Sequence, residues 1–359
     1  VGLGGMRKVI IPIMSVALLA FGLICRKDKN MFYILLVFMM IIMLANTYNN
    51  DWDAYEFMYG LINTIDRCSL TDIGYGFLNF IANSCLNLSF FQFRVLFLLV
   101  GIIMISRIII SNAPYPTLVL VLYFIAPFFP NDIIQIRNFM AQAILTFFLT
   151  KWINSTNRGL IYFILGIGMA TMMHASSLYF ILFILVSFIK DDKKLYISVG
   201  VGSLLVGALP ILLGKMPFIS AEKISFYLGK TSKNVDVRGL IIILVFLIQL
   251  YILYMIREYS RKVENYRFRK WADMVYKMNI LCLPACVIMT VWTFNFYRVP
   301  RNMLLLNYIV YSLYLKEKRE KKYLNFITVI LIFIGICWSA LNSFSQWSVI
   351  WNNNALIAW

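Results

Sequence analysis

The run GLIIILVFLIQLYILYMI, residues 239–256, contains no charged side chain and one amide, Gln249. Wound as a helix it is about 27 Å long, close to the roughly 30 Å hydrocarbon layer of a bilayer. A helix apolar on every side is either the centre of a large protein or a membrane span. The rest of the chain decides between them. Residues 31–45 and 163–171 repeat the pattern, 61% of the 359 residues are hydrophobic and only 14% are charged. Mean hydropathy is +0.79, whereas globular domains are about half apolar and a quarter charged. Directly after residue 256 come Arg257, Arg261, Lys262, Arg267, Arg269, Lys270 and Lys277. An apolar run followed by a basic block is the signature of a span that ends on the cytoplasmic side.

Working outward, twelve spans are predicted, at 9–25, 31–45, 90–110, 117–130, 134–153, 159–173, 176–189, 195–213, 239–256, 277–294, 303–315 and 323–340. Several are shorter than the roughly 20 residues a span needs, so some helices should be short, broken or buried in the bundle. The expectation is one all-α integral membrane domain over 1–359. The net charge of +17 would suggest nucleic acid in a soluble protein. Here the basic residues sit in short loops: the Arg26–Lys29 turn, Arg107, Lys151, Arg158, Lys190–Lys194, the basic loop 257–276 and Lys316–Lys322. All fall on one side of the threading, which excludes a nucleic-acid partner in favour of the positive-inside pattern. The opposite side receives 46–89, 131–133, the turn at His174, 214–238, 295–302 and 341–359, with 73–88 read as an interfacial or re-entrant helix. Arg7 and Lys8 land on that side against the rule. Residues 1–5, before Met6, read as a cloning remnant. No cleavable signal is evident, so the first span is expected to remain as an anchor.

The single histidine excludes a multi-histidine metal site, and neither metal nor cofactor is expected. Most of the six cysteines lie in apolar runs, where they act as small hydrophobes. Cys68 and Cys85 share the outer side, but no bridge is expected from two unplaced cysteines.

Four outer stretches carry the chemistry. The first, NNDWDAYEFMY at 49–59, sets Asp51, Asp53 and Glu56 among Trp52, Tyr55 and Tyr59. Such rings serve as an interfacial belt, or as platforms for a sugar whose hydroxyls bond the acids, with Asp53 as a base. Asp72 follows in TDIGY, 71–75. In the second, PNDIIQIRN at 130–138, Pro130 should end one helix and Asn131 or Asp132 cap the next. Arg137 then sits about a turn inside the membrane boundary. A charge there is functional, paired with Asp132 or snorkelling to the surface. Beside a helix N-terminus it would suit a diphosphate. The third, MMHASS at 172–177, places His174 in a tight turn, as a structural residue or as a proton carrier and phosphate donor. The fourth, NFYRVPRN at 295–302, has Pro300 in a first helical turn flanked by Arg298 and Arg301. Three arginines and a histidine on one side suit an anionic ligand; a plain surface pair is the alternative. The loop holding Lys215, Lys223, Tyr227, Lys230 and Lys233 either covers the substrate or is solvated.

These pieces, in this order, resemble the EpsG-type branch of the Wzy family, the bacterial exopolysaccharide and O-antigen polymerases. The matching residues are the Asp51–Tyr55 pattern, the acid-Gly-Tyr segment Asp72–Tyr75, IRNFMAQAI at Ile136–Ile144, HASSL at His174–Leu178 and Tyr297-Arg298. The family usually has Ile-Arg-Gln where this chain has Ile136-Arg137-Asn138. The resemblance implies a metal-independent GT-C-like membrane glycosyltransferase in a bacterial inner membrane, its site facing the periplasm. It would join glycan units carried on undecaprenyl diphosphate, as both donor and acceptor, with a chain-length regulator as a further partner. Under it, Arg137, Arg298 and Arg301 bind the diphosphate, while His174 with Asp53 or Asp72 does the proton chemistry. Asp51, Trp52, Tyr55, Tyr59, Gln142, Tyr227, Asn295 and Tyr297 contact substrate. The rivals are an O-antigen ligase, a lipid-linked oligosaccharide flippase and a scaffold. A flippase would be expected to show internal repeats, and none is clear.

Overall fold

The computed structural model of the chain describes residues 3–126, 128–155, 158–213, 237–291, 294–320, 325–338 and 344–356. Among them secondary structure is helical, apart from one isolated bridge between Asn46 and Asn354. Among the described residues three helical stretches are long and apolar enough to cross a membrane: Phe90–Asn112, Gly239–Arg261 and Tyr266–Thr290, the last with a turn after Ile280. Shorter apolar helices of 10–17 residues lie at Ile13–Ile24, Lys29–Leu44, Pro116–Ile125, Gly159–Met173, Ala175–Phe188 and Phe326–Cys337. Large apolar side chains face outward, Leu204 at 76% and Phe333 at 66% exposure among them. Lipid tails are as apolar as leucine, so such a surface is at home in a bilayer. The chain is an all-helical membrane protein.

In chain order the α-helices are α1 (Leu3–Ile24), α2 (Lys29–Leu44), α3 (Trp52–Leu61), α4 (Ile73–Phe80), α5 (Phe90–Asn112), α6 (Pro116–Ile125), α7 (Phe128–Ile134), α8 (Ile136–Asn154), α9 (Gly159–Met173), α10 (Leu185–Phe188), α11 (Asp192–Leu213), α12 (Val237–Arg261), α13 (Tyr266–Ile280), α14 (Leu283–Val291), α15 (Arg298–Glu317), α16 (Phe326–Trp338) and α17 (Phe344–Asn352). They form two compact units, Val1–Leu178 with Leu315–Trp359, and Tyr179–Tyr314.

In the first unit α2 packs on α5 and α6, α8 on α5 and α9, and α4 on α9. A capping box between Ser89 and Gln92 starts α5, satisfying amides that have no partner within the helix. Arg94, one turn on, is 1% exposed. It donates to Asn46 O at 2.9 Å, Asn46 Oδ1 at 3.2 Å and Ile133 O at 3.2 Å, tying the ends of α2 and α7 to α5. The tail returns to the same place: Thr47 N–H donates to Asn353 O at 2.8 Å and Ala355 N–H to Ala45 O at 2.7 Å. Residues 46 and 354 both fall on the outer side of the threading, and they meet. Arg26 and Glu320, both assigned to the inner side, also meet.

The break before α8 differs from the expectation. Pro130 is the third residue of α7, a first-turn position where its missing N–H costs nothing. Asp132 caps no helix: it is fully buried and accepts from the Tyr123 hydroxyl at 2.5 Å. That buried hydroxyl displaces the capping role, and α8 starts at Gln135 without a side-chain cap. The segment 73–88 is α4 followed by a π-helical turn, Ile81–Cys85. Cys68 is buried, Cys85 exposed, and both are free thiols.

The run after His174 begins with a ten-residue 3-10 helix, Ala175–Ile184, whose first four residues belong to the first unit. At about 2.0 Å rise per residue this winding stretches a short apolar run. The loop 257–276 is mostly helix, since α12 reaches Arg261 and Asn265 caps α13 by accepting from Phe268 N–H at 3.1 Å. Buried amides link three helices: Asn279 and Asn307 exchange hydrogen bonds at 2.8 and 3.1 Å, and Asn307 reaches Gln249 at 3.4 Å. Interhelical amide pairs of this kind hold membrane helices together.

Candidate functional site

Helices α8 and α9 run antiparallel, so the start of α8 and the end of α9 lie at one end of the pair. Arg137 is the second residue of α8 and His174 caps the end of α9. Asp72 arrives because α4 lies close against α9. At Gly74 a Cβ would stand 2.8 Å from the Met172 Cβ. At Gly76 it would run into the Cys68 carbonyl. Side chains at either position would push α4 away.

Asp72 is the N-cap of α4 yet makes no capping hydrogen bond. A carboxylate there normally accepts an amide of its own helix, worth about 1 kcal/mol. This one is turned to other partners. Its Oδ2 accepts from Arg137 Nη1 at 2.9 Å and lies 3.4 Å from His174 Nδ1; its Oδ1 accepts from Ala175 N–H at 3.0 Å. The side chains of Asp72 and His174 are 13% and 14% exposed. Burial by itself raises the Asp72 carboxyl, but the His174 hydrogen bond, the Arg137 charge and the Ala175 amide outweigh it and hold the group below its ordinary value. Asp72 is therefore an anion at neutral pH and a weak base.

Arg137 also donates to Thr71 Oγ1 at 2.6 Å. Its guanidinium lies 5.4 Å from the Tyr55 ring and 5.7 Å from the Tyr75 ring, within cation–π range. Its Nε is buried without a hydrogen-bond partner. The chemistry follows from the geometry. A carboxylate beside Nδ1 orients the imidazole, and a histidine held in this way can exchange protons. An arginine at a helix N-terminus offers charge and donors to an anion.

The other acidic candidate lies apart from this cluster. Asp53 is exposed and accepts from the Tyr48 hydroxyl at 2.9 Å. Asp51 caps α3 without a side-chain capping bond. Trp52 is buried beside Phe90 and Arg94, its indole N–H on Glu56 at 3.1 Å. Tyr59 is buried with its hydroxyl on Leu88 O at 2.8 Å; both rings pack as core. Tyr55 joins the cluster through Arg137 and Tyr75. Gln142 is fully buried, and neither amide atom has a hydrogen-bond partner.

Arg298, Arg301, Asn295 and Tyr297 belong to the second unit. Arg301, in the first turn of α15, is 3% exposed and donates to the Tyr297 hydroxyl at 3.3 Å. Asn295 is exposed. Tyr227 and its loop lie outside the described residues. Sequence reasoning missed Thr71, the Ala175 amide and Arg94. Thr71 directly precedes an acid already singled out, and Arg94 is a charge inside an apolar run, itself a functional signal. Among the described residues no three His, Cys, Asp or Glu side chains gather as a metal set.

No curated protein and no solved structure matches the chain. A family model described as the EpsG family matches residues 30–352, which include every residue of the Asp72 cluster. The chain belongs to the EpsG family.

Proposed function

We propose that the chain is a Wzy-type polysaccharide polymerase, a twelve-span GT-C-like glycosyltransferase of a bacterial inner membrane with its site facing the periplasm. Membership of the EpsG family supports the polymerase class. One observation carries the chemical reading: Asp72 gathers an arginine and the only histidine from segments 65 and 102 residues away. The substrate is a glycan on undecaprenyl diphosphate. A hydroxyl of the acceptor unit attacks the anomeric carbon of the donor. The glycosidic C–O bond forms as the bond to the diphosphate breaks, its electron pair passing to the phosphate oxygen. His174 takes the hydroxyl proton through Nε2, oriented by Asp72. Arg137 offsets the charge growing on the leaving diphosphate, where a preorganised donor is worth the most. Arg298 and Arg301 of the second unit stay proposed diphosphate-binding residues in their own right, and Tyr55 offers a ring face to the sugar. Protein side chains supply all of this chemistry without a metal.

The test is complementation of a polymerase-deleted strain whose repeat unit matches, read as a polysaccharide ladder on a gel. The intact chain should restore the ladder, and Arg137→Ala should collapse it to single units, an effect on the order of 10²–10³ in rate. Transfer of single units to lipid A core, without a ladder, would make the chain a ligase.

A further inference from the structure

A recess in the first unit lies at the opposite helix ends from Asp72. It has a volume of about 720 Å³ and is lined by Ile24, Arg26, Lys27, Asp28, Tyr115, Lys316, Arg319 and Glu320, with Cys25. Four of these are cations and two are acids. Both acids are engaged. Asp28 caps α2, its Oδ1 accepting from Asn30 N–H at 2.7 Å. Glu320 pairs with Lys318 at 3.9 Å. Two cations share one aromatic ring, Arg26 at 5.1 Å and Lys27 at 5.2 Å from the Tyr115 centroid. Arg26 is a built element of the wall: it is 3% exposed and its Nη2 donates to Glu320 O at 2.5 Å. No carboxylate among the described residues forms an ion pair with Lys27, Lys316 or Arg319. Like charges gathered in one recess repel until an anion enters.

The backbone adds a second sign. Arg319 has φ 53 and Glu320 N–H donates back to Leu315 O at 3.1 Å. This is the left-handed helix ending at which glycine is the favoured residue. A non-glycine residue is uncommon there.

We propose that this recess binds a phosphate-bearing anion, the headgroup of an anionic phospholipid in the cytoplasmic leaflet. The loop charges assign these helix ends to the cytoplasm, and basic pockets between spans at that depth suit such headgroups. The mouth suits an acyl chain as well, since Ile24 on the wall is 55% exposed and Phe21, one turn earlier on α1, is 60% exposed. A free phosphate shares the headgroup's chemistry and lacks the tail. The site stands apart from the Asp72 cluster and does not rest on the polymerase reading.

The test uses the purified full chain in a zwitterionic detergent, followed by thermal unfolding. Short-chain phosphatidylglycerol should raise the unfolding temperature saturably, and phosphatidylcholine should not. The variant Lys27→Gln/Arg319→Gln, both exposed positions, should need roughly 30-fold more phosphatidylglycerol for half the effect, about fivefold for each cation removed. Inorganic phosphate giving the same saturable shift, lost in the same variant, would keep the anion site and make its source soluble. A shift that is unchanged in the variant, or absent with both probes, overturns the proposal. Hydrogen exchange at residues 25–28 serves as a second measurement that needs no variant: protection by the lipid is expected, and no protection counts against the site.

Discussion

Two of the charge clusters among the described residues look alike on paper and differ in composition. In the second unit Arg257 pairs with Asp192 and Asp273, Arg261 with Asp192 and Glu258, and Lys277 with Asp273. Three cations meet three acids, and the links staple the start of α11 to α12 and α13. In the first unit a single acid, Asp72, meets one permanent cation and one histidine, and aromatic rings surround them in place of further ions. A balanced ion network spends its charges on itself and has none to offer. The Asp72 cluster holds a histidine and an arginine whose buried Nε has no hydrogen-bond partner. The comparison sets a charge-balanced staple against a cluster in which one carboxylate gathers an arginine, a histidine and aromatic rings.

Substitutions can break that contrast. The largest effect is expected at His174. His174→Ala should reduce chain extension by 10²–10⁴-fold, the usual worth of a positioned proton carrier, with only a small fall in unfolding temperature from the lost bond to Asp72. Wild-type ladder length in that variant would remove the histidine from the chemistry. Next is Asp72→Asn, which keeps the shape but loses the anion that orients the imidazole. It should cost on the order of 10²-fold in extension rate.

Asp72→Asn also carries a pH signature. The carboxyl is held below its ordinary value in the folded chain. Its stabilisation is therefore present above the unfolded pKa, near 4, and is lost as pH falls through the lower folded value. Unfolding temperatures measured between pH 7 and about pH 3 should fall less steeply in Asp72→Asn than in the wild type. Equal slopes would mean the cluster does not form.

Arg257→Met should act on stability alone. Arg257 is 2% exposed, so its loss leaves Asp192 and Asp273 without their buried partner. Removing one member of a fully buried pair costs about 3–5 kcal/mol. Both acids keep a quarter or more of their exposure, which lowers the expectation to about 2 kcal/mol. The folded fraction should still extend chains at the wild-type rate; a slower rate per folded molecule would give the staple a role in the reaction. The smallest effect is expected at Asp53→Asn, which loses only a surface bond to Tyr48. Its ladder should match wild type within about threefold, under 1 kcal/mol. Loss of the ladder there would return Asp53 to the site.

The amino-acid sequence by itself determined the solvent. Lipid acts on every residue locally, so apolar runs and the basic residues between them report membrane class, loop order and the candidate segments without reference to any fold. The motifs around Asp72, Arg137 and His174 were legible for the same reason, being short and contiguous. Asp53 and Asp72 look alike as neighbours of aromatic rings, and only the packing of α4 against α9 at Gly74, with Gly76 close on the Cys68 backbone, brings Asp72 to the arginine and the histidine. Tertiary structure also decided that Trp52 and Tyr59 are core, that Asp132 bonds Tyr123 instead of capping α8, and that Arg94 clasps the ends of two helices. Each of these depends on which distant backbone comes within hydrogen-bond reach, a quantity that linear spacing does not contain.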